Sequence, residues 1–423
     1  MTDERYTPID FSDTTLFHPL KLNDNVTLQH RAVLAPLTRM RANSNHELRN
    51  ETEYTSSEEW KEYISKSYNK TGDKTRGLVE EYYYQRSQRP GTLLISEATF
   101  ISPQAGGYDN APGIWSDAQV EQLKKVVDAV HENKSFMFVQ LWNLGRAAIP
   151  ALLKRDGLSY LSASDVYNEI NDAYDCKSIA AKCDNPLRGC TIEEIEQFKK
   201  DYLKAAENAF KAGADGVEIH SANGYLLNQF LDLNSNKRTD QYGPQSYENR
   251  SRFLFETYDL LVNQFGPGKV AVRLSPYGLF NGMTGPHHLE DTLGVYTYIY
   301  KQFELRRKDN KGPAYISLME PRVADLTKNE GEGVVEGVTN DFIFENFGGV
   351  VIKAGDMVLG NKFAKEAIQH NDKTLLAYGR YFISNPDLVD RLEKKLPLNR
   401  YIRDTFYTPD FKGYVDYPYY HEE

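Results

Sequence analysis

The chain is expected to fold as an α/β protein, a closed (β/α)8 TIM barrel. Eight short apolar runs recur along its 423 residues, and stretches of helical periodicity separate them. The first run leads into Thr-Arg-Met-Arg, where an open doubly wound sheet would normally carry a G-x-G-x-x-G turn. Apolar strands alternating with helices imply a parallel sheet covered on both faces, and eight such units close into a barrel.

Taken in order, the strands are expected at residues 31–37, 92–97, 136–141, 216–219, 270–274, 314–319, 350–353 and 374–378. Helical patterns run over 116–132, 191–211, 247–265, 288–307, 340–346 and 386–395, the second opened by the capping box Thr-Ile-Glu-Glu. Before the first strand, residues 20–28 read as a hairpin closing the bottom of the barrel. Two long insertions follow strands one and three, at 43–77 and 147–190. The first is rich in Ser, Asn, Thr and charge; with Glu-Glu-Trp-Lys-Glu-Tyr as a short helix inside, it reads as a mobile excursion. The whole chain, 1–423, reads as a single barrel domain.

A 40% hydrophobic content suffices for a large core, and the net charge of −10 comes without a basic block, so nucleic acid is not an expected partner. No run has the length of a membrane span and the N-terminus has no apolar signal region, which points to a cytoplasmic protein with no membrane partner. Cys176, Cys183 and Cys190 lie in one stretch without histidine; they read as reduced thiols in a polar loop, with no metal site.

Barrel enzymes place their chemistry at the C-terminal ends of strands, where Thr38, Gln140, Trp142, His220, Arg273, Gly355 and Gly379 stand. The most telling stretch is Gly-Val-Glu-Ile-His-Ser-Ala-Asn-Gly-Tyr, residues 216–225. If the chain turns helical as the strand ends, His220 and Asn223 share a face and both donate to one oxygen, with Tyr225 near enough to deliver a proton to a neighbouring carbon. Two other readings compete. A lyase or aldolase would need a Schiff-base lysine, for which Lys353 is the clearest strand-end candidate. A non-enzymatic protein that sequesters phenols or steroids would use the same oxygen site.

Five motifs, in order along the chain, are Ala35-Pro-Leu-Thr-Arg-Met-Arg41, Ile101-Ser-Pro-Gln-Ala-Gly-Gly-Tyr108, Val139-Gln-Leu-Trp142, the Gly213 to Leu231 segment around His220, and Tyr378-Gly-Arg-Tyr-Phe-Ile-Ser-Asn-Pro-Asp-Leu388. Together they resemble the old yellow enzyme family, its fungal branch, from about residue 16 to 417. The resemblance implies an FMN-containing, NADPH-dependent ene-reductase acting by a ping-pong cycle on α,β-unsaturated carbonyl or nitro compounds. Phenols are implied as inhibitory ligands, and the molecule as a homodimer. His220 and Asn223 match the pair that holds the substrate oxygen, and Tyr225 the proton donor. Thr38 matches the hydroxyl at the flavin O4/N5 edge, with Pro36, Leu37 and Ala98 beside it; Gln140 matches the amide on the pyrimidine edge and Arg273 the cation near N1/O2. Gly355, Asp356, Gly379 and Arg380 match the phosphate cradle, and Trp142, Phe280, Phe406 and Tyr407 the substrate pocket. The chain departs from the family's pattern in Ala98 for a glycine, in Asp356-Met357 for an Asn-aromatic pair, in a longer 242–250 segment, and in the length of the 43–77 insertion, which stands where it would narrow substrate choice.

Overall fold

A computed structural model describes residues 6–66, 75–169, 174–325, 327–328, 332–358 and 362–421. Eight parallel strands form the barrel: β1 (Ala32–Leu34), β2 (Leu93–Ile95), β3 (Phe136–Trp142), β4 (Gly216–Ser221), β5 (Val270–Leu274), β6 (Ile316–Met319), β7 (Val351–Ala354) and β8 (Thr374–Tyr378). Each pairs with the next, and β8 pairs with β1, so no edge is left open. All eight lie where the apolar runs put them.

Alternation along the strands sorts the residues into two layers. Val33, Leu93, Ile95, Phe138, Ala271, Tyr315, Ile352 and Leu375 fill the barrel, while Leu34, Leu94, Val139, Val217, Val272, Leu318 and Leu376 face the helices. Both faces are buried, which is why the strands read as unbroken apolar runs. Higher in the barrel the inward positions turn polar: Gln140 stands two residues past Phe138, His220 two past Glu218, and Arg273 two past Ala271.

The outer ring contains α1 (Leu78–Ser87), α2 (Asp117–Glu132), α3 (Ile192–Lys211), α4 (Tyr247–Phe265), α5 (Leu289–Lys308), α6 (Lys362–Gln369) and α7 (Leu388–Lys394). The capping box at Thr191 forms, Glu194 N donating to Thr191 Oγ1 at 3.2 Å and Thr191 N to Glu194 Oε2 at 2.8 Å. Two helices, α1 and α6, have no counterpart among the expected helical patterns. Nearly every side of α1 is buried, Glu81, Gln85 and Arg86 included, so it shows no one-sided apolar period. The helix expected at 340–346 is a single 3-10 turn, Asn340–Ile343: the Asn340 carboxamide donates to Met319 O at 2.9 Å, and Gly348-Gly349 follow. The helix expected at 386–395 begins only at Leu388, after a separate short helix, Arg380–Ser384.

The hairpin pairs Leu20–Lys21 with Thr27–Leu28, and Asn23 Nδ2 donates to Gly268 O at 2.6 Å, just before β5, which fixes it to the barrel bottom. The 43–77 insertion differs from a mobile excursion over its described part. Trp60, in the helix Glu58–Lys66, is fully buried, its ring centroid 5.4 Å from those of Tyr54, Tyr63 and Phe411. Aromatic burial of this kind anchors a helix whose polar composition reads as loop; residues 67–74 lie outside the described part. In the 147–190 insertion, Leu161–Ser162 pairs with Arg188–Gly189, flanked by helices Pro150–Arg155 and Cys176–Lys182. The cysteines are not in a polar loop: Cys176 and Cys190 are buried, and burial pushes the Cys190 thiol up to about 12. Among the described residues no helix is long and apolar enough to cross a membrane.

Candidate active site

A cavity of about 470 Å³ opens at the C-terminal end of the barrel, and every residue assigned from the resemblance lines it, from Pro36 and Thr38 just after β1 to Gly379 and Arg380 after β8. None of residues 43–66 does, so the described part of the first insertion does not narrow the pocket; Asn168 and Tyr174 of the second insertion do line it.

His220 sits near the top of β4, 3% exposed. Its Nδ1 accepts from Ala222 N at 3.4 Å, which assigns the remaining hydrogen to Nε2. Burial, reinforced by the Arg273 guanidinium, holds the imidazole well below its usual range, so it is a neutral donor at physiological pH. The chain does not turn helical after it. Asn223 and Gly224 both adopt left-handed conformations, φ 56° and 72°, and the helix Leu226–Leu231 starts only after Tyr225. A Cβ at Gly224 would meet Asn281 Cβ at 2.5 Å and Phe280 O at 2.7 Å, so glycine is required there. Asn223 is held through its backbone, its N donating to Ser275 Oγ at 2.8 Å and its O accepting from Asn281 Nδ2 at 2.9 Å. Among the described residues its carboxamide has no hydrogen-bond partner and remains available to the cavity.

Tyr225 stands edge-on to His220 at 4.8 Å between centroids and edge-on to Trp142 at 5.0 Å. Burial first, then Tyr407, pushes its phenol far above the ordinary range, so it keeps its proton. Asn281 lies beside that phenol and Tyr108 packs on Trp142; neither stands out in the sequence as a site residue, although each adjoins a residue or motif that does. Arg146, from the second insertion's start, fixes the Asn281 and Gly282 carbonyls, both at 3.1 Å.

On the strands flanking β4, Gln140 Nε2 donates to Glu218 Oε1 at 2.6 Å, and Arg273 lies 6% exposed, its Nε without a hydrogen-bond partner among the described residues. Gly355, at φ 132°, takes a conformation that favours glycine, and Gly379 precedes the Arg380–Ser384 helix. The Asp356 carboxylate is held by Arg322 at 3.1 Å. Lys353 is not in the cavity. It faces outward between the inward Ile352 and Ala354, ion-paired with Glu320 at 3.5 Å and with Asp341, so no Schiff-base lysine stands there.

Next to Thr38, Arg39 N donates to Glu97 Oε2 at 3.0 Å. The Arg39 side chain reaches Phe406 O at 3.1 Å and Gly413 O at 2.8 Å; Arg41 reaches Phe406 O at 2.7 Å and Thr405 O at 3.1 Å. These bonds hold a strap, residues 405–417, that carries Phe406 and Tyr407 to the pocket. Burial raises the Glu97 carboxyl from its usual 4.5 to about 7, against the pull of Arg39 and Arg41. The folded chain thus holds a proton that the unfolded chain has lost, and Glu97's contribution to stability is complete below about pH 4.5 and lost as pH rises through about 7. That decline amounts to about 3 kcal/mol over the interval, and Glu97→Gln should flatten it. Denaturation midpoints across this interval check it; an unchanged slope would show that other groups cause it.

Residues 63–399 match the model of the NADH:flavin oxidoreductase / NADH oxidase family. Over 422 residues the chain is 45% identical to enoate reductase 1 of Kluyveromyces lactis, covering 100% of this chain and 98% of that protein. It is 39% identical to a probable NADPH dehydrogenase of Candida albicans, over 96% of this chain and 91% of the relative. The crystal structure of Old Yellow Enzyme from Pichia sp. AKU4542 superposes with a TM-score of 0.82 at 39% identity, covering 97% of this chain and 95% of the other.

Proposed function

The chain belongs to the NADH:flavin oxidoreductase / NADH oxidase family, as an FMN-dependent, NADPH-oxidising ene-reductase of the old yellow enzyme type, and from that membership we propose that it reduces the activated C=C bond of α,β-unsaturated carbonyl or nitro compounds in a ping-pong cycle. The residues present fit FMN. The cavity is large enough for a flavin with a substrate over it, the Arg273 guanidinium has an N–H to spare, and glycines at 355 and 379 leave backbone open for a phosphate. Arg273 would favour a flavin carrying negative charge at its pyrimidine end, Gln140 would read that end, and Thr38, with the backbone of Pro36, Leu37 and Ala98, would border the other edge. Gly355, Gly379 and Arg380 would hold the phosphate. Asp356 contributes backbone only, its carboxylate being engaged by Arg322.

FMN, held by these residues, would supply the hydride carrier between NADPH and the substrate β-carbon. The protein's own work is electrostatic and protonic. His220 Nε2–H and the Asn223 amide donate to the carbonyl or nitro oxygen, stabilising the negative charge that develops there. Tyr225, kept protonated by burial, delivers its proton to the α-carbon. Trp142, Phe280, Phe406 and Tyr407 exclude water and shape the space around the alkene.

The observation that carries this reading is the meeting of a neutral histidine donor, an unengaged carboxamide and a protonated phenol on one cavity wall. The test is the visible absorption spectrum of the purified protein with and without a para-substituted phenol. A flavin spectrum that gains a long-wavelength charge-transfer band supports both the cofactor and the oxygen site. A protein that stays colourless after incubation with FMN would refute the reading.

A further inference from the structure

A carboxylate lies beneath the cavity floor, and none of the roles above uses it. Glu218 is fully buried inside the barrel, two residues before His220 on β4 and therefore on the same inward face. The β3–β4 register sets it directly opposite Gln140, and the β4–β5 register sets it opposite Ala271, with Arg273 opposite His220, so the guanidinium is its diagonal neighbour. Tyr315, inward from β6, has its phenol beside the same carboxyl. Burial pushes the Glu218 carboxyl up while Arg273 and Gln140 pull it down, and Glu218 in turn pulls Arg273 up against burial.

Two physical consequences follow from a carboxylate at this depth. In its ionised form, which Arg273 and Gln140 favour against burial, it has only acceptors to offer, so the 2.6 Å bond fixes the Gln140 amide with its NH2 group toward Glu218 and its oxygen toward the cavity. It also offsets part of the Arg273 charge, both groups being buried where screening is weaker than in bulk solvent.

We propose that Glu218 is a positioning residue that orients the Gln140 amide and tempers the Arg273 charge, and so sets both the affinity for the flavin and its reduction potential. The inference rests on the FMN reading given above.

The test compares parent, Glu218→Gln and Glu218→Asp in two measurements: FMN titration of the apoprotein, and the two-electron midpoint potential of the holoenzyme. Glutamine presents either an oxygen or an NH2 group, so Gln140 loses its fixed orientation and oxidised FMN binds about tenfold more weakly. The reduced, anionic form loses less, because Arg273 acts on it uncompensated. The midpoint should rise accordingly, tenfold in relative affinity being about 30 mV for two electrons. Aspartate keeps the charge but withdraws the acceptor, so Glu218→Asp should weaken FMN while holding the parent's potential. Equal loss of affinity for both redox forms in Glu218→Gln, with no shift in potential, would reduce Glu218 to a packing role and overturn the proposal. If Glu218→Gln does not fold, a Glu218→Asp protein with the parent's FMN affinity would overturn it as well. A parent apoprotein that takes up no FMN would instead refute the functional reading, and this inference with it.

Discussion

Tyr225→Phe is expected to slow reduction of an enone by about a hundredfold to ten-thousandfold, the usual worth of a positioned general acid, while reduction of the bound flavin by NADPH proceeds at the parent rate. The substitution removes one hydroxyl and nothing else. Phenylalanine keeps the edge-on packing against His220 and Trp142, and the turn at Asn223 and Gly224 keeps its backbone bonds to Ser275 and Asn281. Stopped-flow measurement separates the two half-reactions. If both fall together, the phenol is not the proton donor and its role is to shape the site for flavin and substrate alike.

Arg41→Ala should produce the largest structural effect. The Arg41 side chain is wholly buried, it donates to the carbonyls of Arg39, Thr405, Phe406 and Asp410, and its guanidinium lies 4.3 Å from the Tyr414 ring centroid. Charge-assisted bonds of this kind contribute about 1.5–3 kcal/mol each, less where water can replace the donor. A loss of at least about 3 kcal/mol is expected in urea unfolding, together with new protease cleavage in 405–413 and a raised KM for enones, because Phe406 and Tyr407 lose their support. An unchanged unfolding midpoint would show that the stacking of Tyr82 on Tyr414, 4.2 Å between centroids, holds the strap by itself.

The barrel was legible because burial on both faces writes each strand as an unbroken apolar run, and the pocket because strand ends mark where chemistry sits. What escaped depends on partners distant in sequence. Helix α1 looks patternless until Tyr414, Val415 and Tyr419 meet it, and Trp60 looks like part of a polar loop until Phe411 meets it. The turn after β4 illustrates a subtler limit. His220, Asn223 and Tyr225 do share a cavity, but by two consecutive left-handed residues rather than by helical spacing, and an Asn-Gly pair permits either course. Arg39 and Arg41 were visible as letters, yet their task of holding the strap is set by contacts across more than three hundred residues.

That separation also orders the assembly of the pocket. Bringing Arg39 to Gly413 in an unfolded chain would close a loop of 374 residues, at an entropic cost of about 5 kcal/mol from chain length alone. Once β8 has paired with β1, only the stretch between Tyr378 and Thr405 remains to be looped, and Arg39 and Arg41 are already in place to receive it. Closing the barrel before docking the strap is therefore the order that costs less chain entropy, and weakening the strap should loosen the substrate wall while leaving the barrel paired. Cofactor capture, which needs mainly the strand ends, can then precede the gain of substrate selectivity.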